Sequence, residues 1–172
     1  PSRDRNGDRP TDPRRPLVLT VQLTTHPGFE DLTLDELRRR TQAAGLATLG
    51  AELRPDGLAG HVVVDVDATW TELVPVLLDL RSAHRAVRRL ARFTLDGADP
   101  LAQIRAALGR LTPTIGELDG LDRSFRVTSS RTGAHPFTSE DVERAAGAGV
   151  RAVARHPVSL KGFDVELRCD VR

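Results

Sequence analysis

The stretch His61-Val62-Val63-Val64-Asp65-Val66-Asp67-Ala68-Thr69-Trp70-Thr71-Glu72-Leu73 decides the architecture of the first half of the chain. His61 to Val66 is a valine-rich run of strand length. Thr69-Trp70-Thr71-Glu72 is a capping box, in which the threonine hydroxyl and the glutamate carboxylate satisfy amides that a helix start leaves without partners. The helix that follows puts Leu73, Val76, Leu77 and Leu80 on one face. Upstream, Pro55-Asp56-Gly57 has the residues of a hairpin turn and leads back to a weaker strand over Ala47 to Arg54. Before that, Phe29 to Ala44 reads as a helix with Leu34 and Leu37 on its apolar stripe and Gly45 as its stop. His26-Pro27-Gly28 turns into that helix from a strand in which Leu17, Leu19, Val21 and Leu23 alternate with polar or smaller residues. Downstream, His84 to Leu95 reads as one more strand. The order β-α-β-β-α-β is the ferredoxin-like split βαβ arrangement.

A boundary near Gly97-Ala98 separates this unit from a second one. Asp99 is an N-cap, Pro100 takes the first helical position, and Leu101, Ile104, Leu108 and Leu111 line one side. A short helix is expected over Ile115 to Leu118 and a strand over Ser124 to Ser130, turned by Thr132-Gly133. Thr138 caps the next helix, with Asp141 near its third position and Phe137 placed to staple onto Val142. Val142, Ala145, Ala146, Gly149, Val150 and Val153 keep helical spacing, and the small residues among them allow a close approach to a sheet. Val158 to Leu160 and Val165 to Val171 are expected strands. Pro1 to Pro16, with five Arg, three Asp and four Pro, reads as a disordered leader, or alternatively as a basic arm on nucleic acid. The expected organisation is therefore a leader over 1–16, a ferredoxin-like domain over 17–98 and an α/β domain over 99–172, an α+β protein.

The 172 residues carry 25 Lys and Arg against 24 Asp and Glu, a formal charge of +1, which excludes a histone-like polycation but not a local basic face. Cys169 is the single cysteine, so an internal disulfide and a cysteine-cluster zinc site are excluded. No apolar run is long enough for a membrane span and none reads as a signal peptide, so a soluble cytoplasmic protein is expected. Gly147-Ala148-Gly149-Val150-Arg151-Ala152 fits a loose dinucleotide pattern, but its glycines lie inside a helix already under way instead of opening one. His26, His61, His84, His135 and His156 show no metal-ligand spacing. No nucleophile, base and oxyanion site come together, so no catalytic, cofactor-binding or metal residue is expected.

Two groups of basic residues remain. Arg81, Arg85, Arg88, Arg89 and Arg92 lie in twelve residues without an acid. On a strand, Arg85 and Arg89 share one face and Arg88 and Arg92 the other. A charged edge strand that discourages pairing between sheets and a phosphate-contacting strip explain this equally well. The second group is Arg126, Arg131, His135, Arg151, Arg155 and Lys161, within a final 50 residues that hold nine bases and six acids. Arg151 and Arg155 also complement the negative end of a helix dipole. The helix opening after Thr138 offers amide donors to phosphate.

The second half resembles a THUMP domain. The residues that carry this are Ser124-Phe125-Arg126-Val127, Arg131 to Ser139, Asp141 to Gly147 and Val158-Ser159-Leu160-Lys161, with Gly162-Phe163 where the family commonly has an Asn-Pro-like pair. Thr24 to Leu32, Asp35-Glu36-Leu37 and Arg81 to Phe93 resemble the preceding domain of THUMP-bearing RNA methyltransferases. The resemblance implies a ferredoxin-like domain followed by a THUMP domain, together holding the acceptor stem and 3′ end of tRNA. It further implies a separate domain that binds S-adenosylmethionine and methylates guanine N2. The motifs of that domain are missing here, so the expectation is a non-catalytic fragment, cut near or inside the end of THUMP, whose partners are tRNA and its own missing catalytic domain. The expected RNA contacts are Arg126, Arg131, His135, Ser139 and Lys161, with Arg85 and Arg89 second. The alternatives are a free-standing RNA-binding or partner-binding subunit, and the front end of an rRNA guanine methyltransferase or another THUMP enzyme.

Overall fold

In the computed structural model, which describes residues 18–118 and 122–172, the chain divides into two units between Arg92 and Phe93. The leader assigned to Pro1–Pro16 lies outside the described residues.

The first unit comprises β1 (Val18–Thr24), α1 (Glu30–Ala43), β2 (Ala47–Leu53), β3 (His61–Asp67), α2 (Trp70–Leu78) and β4 (Arg85–Arg88). The sheet order is β2-β3-β1-β4 and every pairing is antiparallel. β3 therefore separates β1 from β2, and β1 separates β3 from β4, which is the split βαβ order. Side chains alternate across a strand, so one register fixes one face. Val21 lies opposite Val64, and Leu23 opposite Val62. These four residues, with Val66, have no exposed surface and pack with Leu37 of α1 and Leu73 of α2. Each such burial contributes about 1.5–3 kcal/mol. The capping box is present in both directions, with Glu72 N–H donating to Thr69 Oγ1 at 3.3 Å and Thr69 N–H to Glu72 Oε2 at 2.8 Å.

The last strand is shorter than the span His84 to Leu95 read from the sequence. β4 ends at Arg88, and Arg89 adds only one further bond, from its N–H to Thr20 O at 2.8 Å. The register places Ala86 and Arg88 on the face of Leu23 and Val21. Arg88 holds this face with its guanidinium 6.0 Å from the Trp70 ring centroid, and the ladder ends one residue later, opposite Thr20 near the start of β1. Arg92 lies beyond it and pairs with Asp56.

The second unit comprises α3 (Pro100–Leu111), β5 (Phe125–Arg131), α4 (Ser139–Val153) and β6 (Val165–Val171). Asp99 caps α3 by accepting from Ala102 N–H at 2.9 Å. β5 and β6 are parallel, with Phe125 opposite Val165 and Arg131 opposite Val171, and α4 connects them. Phe125, Val142, Ala146 and Val150 are completely buried. The small residues of α4 act differently from the expectation. A Cβ on Gly147 would make only ordinary contact with Val127, at 3.9 Å. A Cβ on Gly149 would lie 2.3 Å from the Arg105 carbonyl oxygen, so the close approach is to α3. The strand expected over Val158 to Leu160 is a single parallel bridge between Val158 and Phe125. Leu160 is 75% exposed, with no packing to hold it in a ladder, and Gly162 at φ +68° bends the chain towards β6.

Candidate nucleic-acid interface

Because β5 and β6 are parallel, their carboxyl ends lie at one edge, where open α/β sheets commonly bind ligands. Thr132 N–H donates to Val171 O at 2.9 Å and closes this edge. Arg131 ends β5. The following loop turns at Gly133 (φ +91°), and His135 Nε2 lies 2.9 Å from Thr132 O. The His135 ring stacks on the buried Phe137 at 5.3 Å, and Arg131 Nη1 donates to His135 O at 3.4 Å. Ser139 begins α4, its carbonyl accepting from Ser129 Oγ at 2.9 Å while Glu143 accepts from Ser129 N–H at 2.9 Å. These bonds tie the helix start to the strand. Thr138 and Asp141 form a second capping box. The Thr138 amide and hydroxyl hold the Asp141 carboxyl below its usual range, and Arg144 adds to this. The N–H groups of Ser139 and Glu140 take no partner among the described residues. Arg131, His135 and Ser139 thus form one group, a guanidinium and an imidazole beside two amides at the positive end of a helix dipole.

Arg126 and Lys161 belong to the opposite edge. Arg126 is five positions from Arg131, roughly 16 Å at ~3.3 Å per residue. Its guanidinium lies 3.9 Å from the Phe163 ring centroid, and Nη2 pairs with Glu166 Oε1 at 2.9 Å. Thr128 Oγ1 donates to the same oxygen at 2.9 Å. The Arg126 charge is therefore offset within the sheet, whereas Lys161 is exposed and its ammonium has no acid partner among the described residues. Nearby, Asp164 accepts from Ser124 N–H and Oγ, both at 2.8 Å. Arg85 and Arg89 lie in the first unit. Arg85 pairs with Thr24 on the face away from the helices, and neither arginine has an acid partner among the described residues.

Sequence spacing missed three features. Phe163 carries Arg126 although 37 positions separate them. His26 and His84 come together edge to face, with centroids 4.2 Å apart. Glu30 is completely buried, accepting from Gly60 N–H at 2.6 Å and Gly28 N–H at 2.9 Å, with Arg54 Nε at 3.4 Å. Nothing in a single sequence brings these pairs together, since each depends on the sheet register.

The dinucleotide-like stretch Gly147 to Ala152 lies well inside α4, where its amides are committed to the helix. The described residues therefore do not fit S-adenosylmethionine at that motif. Among them no group of three or more His, Cys, Asp or Glu could hold a metal ion, and no helix is long and apolar enough to cross a membrane.

Residues 111–172 match the THUMP domain family. The chain is 41% identical over 155 residues, 90% of its length, to a tRNA (guanine(6)-N2)-methyltransferase of Thermus thermophilus, and covers 42% of that protein. Among solved structures it is similar to TrmN from Thermus thermophilus, with a TM-score of 0.69 and 38% identity over 90% of this chain and 42% of that one. It also shares a fold with PH1313 from Pyrococcus horikoshii, with a TM-score of 0.60 and 16% identity over 90% of this chain and 51% of that one. The chain thus spans under half the length of the methyltransferase it matches.

Proposed function

We propose that this chain, which carries a THUMP domain over residues 111–172, is the RNA-holding part of a protein that methylates guanine N2 in tRNA. The observation that carries the proposal is the 41% identity to a tRNA (guanine(6)-N2)-methyltransferase along 90% of the chain. The geometry supports it. Arg131, His135 and the start of α4 lie together at the carboxyl edge of β5 and β6, while Lys161, Arg85 and Arg89 are exposed or half-exposed cations without acid partners among the described residues. The chain binds structured RNA chiefly through backbone contacts and transfers no methyl group itself. The S-adenosylmethionine and the reacting groups belong to further residues of a longer protein, working in the cytoplasm where its tRNA is found.

The test is tRNA binding by the 172-residue chain as salt is raised. Four phosphate contacts give a slope of log K against log salt of about −3.6, a loss of roughly 150-fold between 50 and 200 mM salt. No measurable affinity for tRNA at low salt rejects the proposal. Binding that ignores salt rejects the phosphate contacts.

A further inference from the structure

We propose that a cleft in the first unit, between the start of α1 and the segment before β4, seats an unpaired nucleotide of the RNA; this finer claim rests on the RNA-holding reading above. The cleft has a volume of about 400 Å³ and is lined by Thr25, His26, Phe29, Arg39, Arg81 and His84, among others. That volume falls in the range of small-ligand sites, roughly 300–1,000 Å³.

Three rings meet there. His26 lies 4.2 Å from His84 and 6.2 Å from Phe29, edge to face in both cases. Phe29 is 50% exposed, and so is Leu32 beside it. The loop leaves Phe29 outside because Gly28, at φ +92°, turns the chain and Glu30 anchors it from below. Nothing among the described residues covers this ring.

The walls are fixed before any ligand arrives. Buried Thr25 donates from Oγ1 to Ser82 O at 2.6 Å, and buried Thr33 donates to Thr25 Oγ1 at 3.0 Å. Ser82 donates to Glu36 from both its amide and its hydroxyl, and His84 N–H donates to Thr24 O at 2.8 Å. The cleft is therefore preorganised, which lowers the ordering cost of binding.

Charge identifies the occupant. Glu36 is the single acid in the lining, and its oxygens already accept from Arg40, from the amides of Arg81 and Ser82 and from the Ser82 hydroxyl. The guanidinium groups of Arg39 and Arg81 have no acid partner among the described residues. An apolar peptide would cover the rings and leave two cations without counter-charge. A base with its flanking phosphates supplies both a stacking face and the anions. The recognised chemistry is an RNA base stacked on Phe29 or an imidazole, with phosphates on Arg39 and Arg81.

The experiment compares the affinity of the chain for a short RNA duplex carrying a single-stranded extension with its affinity for the same duplex made blunt. Phe29→Ser weakens binding of the extended duplex by about 5- to 100-fold and leaves the blunt duplex within about twofold. The double variant Arg39→Gln, Arg81→Gln lowers the salt slope for the extended duplex by about 0.7 per lost contact and provides a second readout if Phe29→Ser does not fold. Equal losses on both duplexes, or none, overturn this inference alone. Failure of the unaltered chain to bind either duplex overturns it together with the RNA-holding reading. Self-association of the chain that disappears in Phe29→Ser assigns the cleft to a protein contact and also overturns it.

Discussion

Glu30 has no exposed surface and nevertheless stays ionised, because folding brings backbone amides to it. The Gly60 N–H is the main cause, and its carboxyl is held at about 2, against an ordinary value of 4.5. Burial pushes Glu36 upward, but the Ser82 hydroxyl, the Arg81 and Ser82 amides and Arg40 outweigh this and hold it at about 2 as well. Between these values the folded chain binds fewer protons than the unfolded one, so stability rises with pH across the window. Both contributions are complete above about pH 4.5 and are lost as pH falls towards about 2. Thermal midpoints measured across this range should fall steeply with acid. The variants Glu30→Gln and Glu36→Gln should be less stable at neutral pH and flatter below it, and an unchanged acid slope in both would contradict the assignment. In the sequence His26 to Gly28 read as a turn and Phe29-Glu30 as the opening of a helix, within a stretch that carries a family resemblance. Their structural role, a buried carboxylate tying the turn to Gly60, is invisible without the hairpin between β2 and β3.

Gly149 sets the crossing of α3 and α4. Alanine is the better helix former by about 1 kcal/mol, which alone would make Gly149→Ala stabilising. The added Cβ, however, would meet the Arg105 carbonyl oxygen at 2.3 Å and Leu108 Cβ at 3.0 Å, and a helix backbone cannot rotate away as a side chain can. Overpacking of this kind costs about 1–3 kcal/mol, so the net expectation is destabilisation. Gly147→Ala, with only an ordinary contact to Val127, should be neutral or stabilising. Denaturation of the two variants side by side tests this, and equal effects would refute it. At this scale the elements with both a periodic face and a cap were legible. α2 and α4 lie where their capping boxes place them, and β6 spans the residues read for it. What failed were apolar runs without a partner. Val158 to Leu160 has strand-like residues but only one bridge, and the run to Leu95 leaves the ladder after Arg89, near the start of its partner β1. Helical spacing also identified Gly149 as a small residue on a packing face, but the identity of the packing partner is a property of the fold.

A net charge of +1 says little about a molecule whose charges are sorted by position and by pairing. Proximity in sequence grouped Arg126 with Arg131, yet a strand holds them at opposite edges, and the first is paired with Glu166 while the second reaches only a carbonyl. Basic composition alone could not show that distinction, because pairing across β5 and β6 depends on their register. It has consequences for binding. Arg131→Ala and Lys161→Ala each remove a cation without an acid partner among the described residues, so each should weaken RNA binding whatever the base sequence and reduce the salt slope by about 0.9 on a duplex. The two residues serve different edges of β5, so their effects should add within about 0.3–0.5 kcal/mol. Arg126→Lys keeps the charge but loses the flat guanidinium over Phe163, worth about 0.5–1 kcal/mol at an exposed site. This change should lower the thermal midpoint more than it alters the salt slope. Binding titrations at several salt concentrations, with melting curves on the same preparations, separate these effects. A salt slope that falls for Lys161→Ala but not for Arg131→Ala would place the RNA at the opposite edge of the β5–β6 sheet.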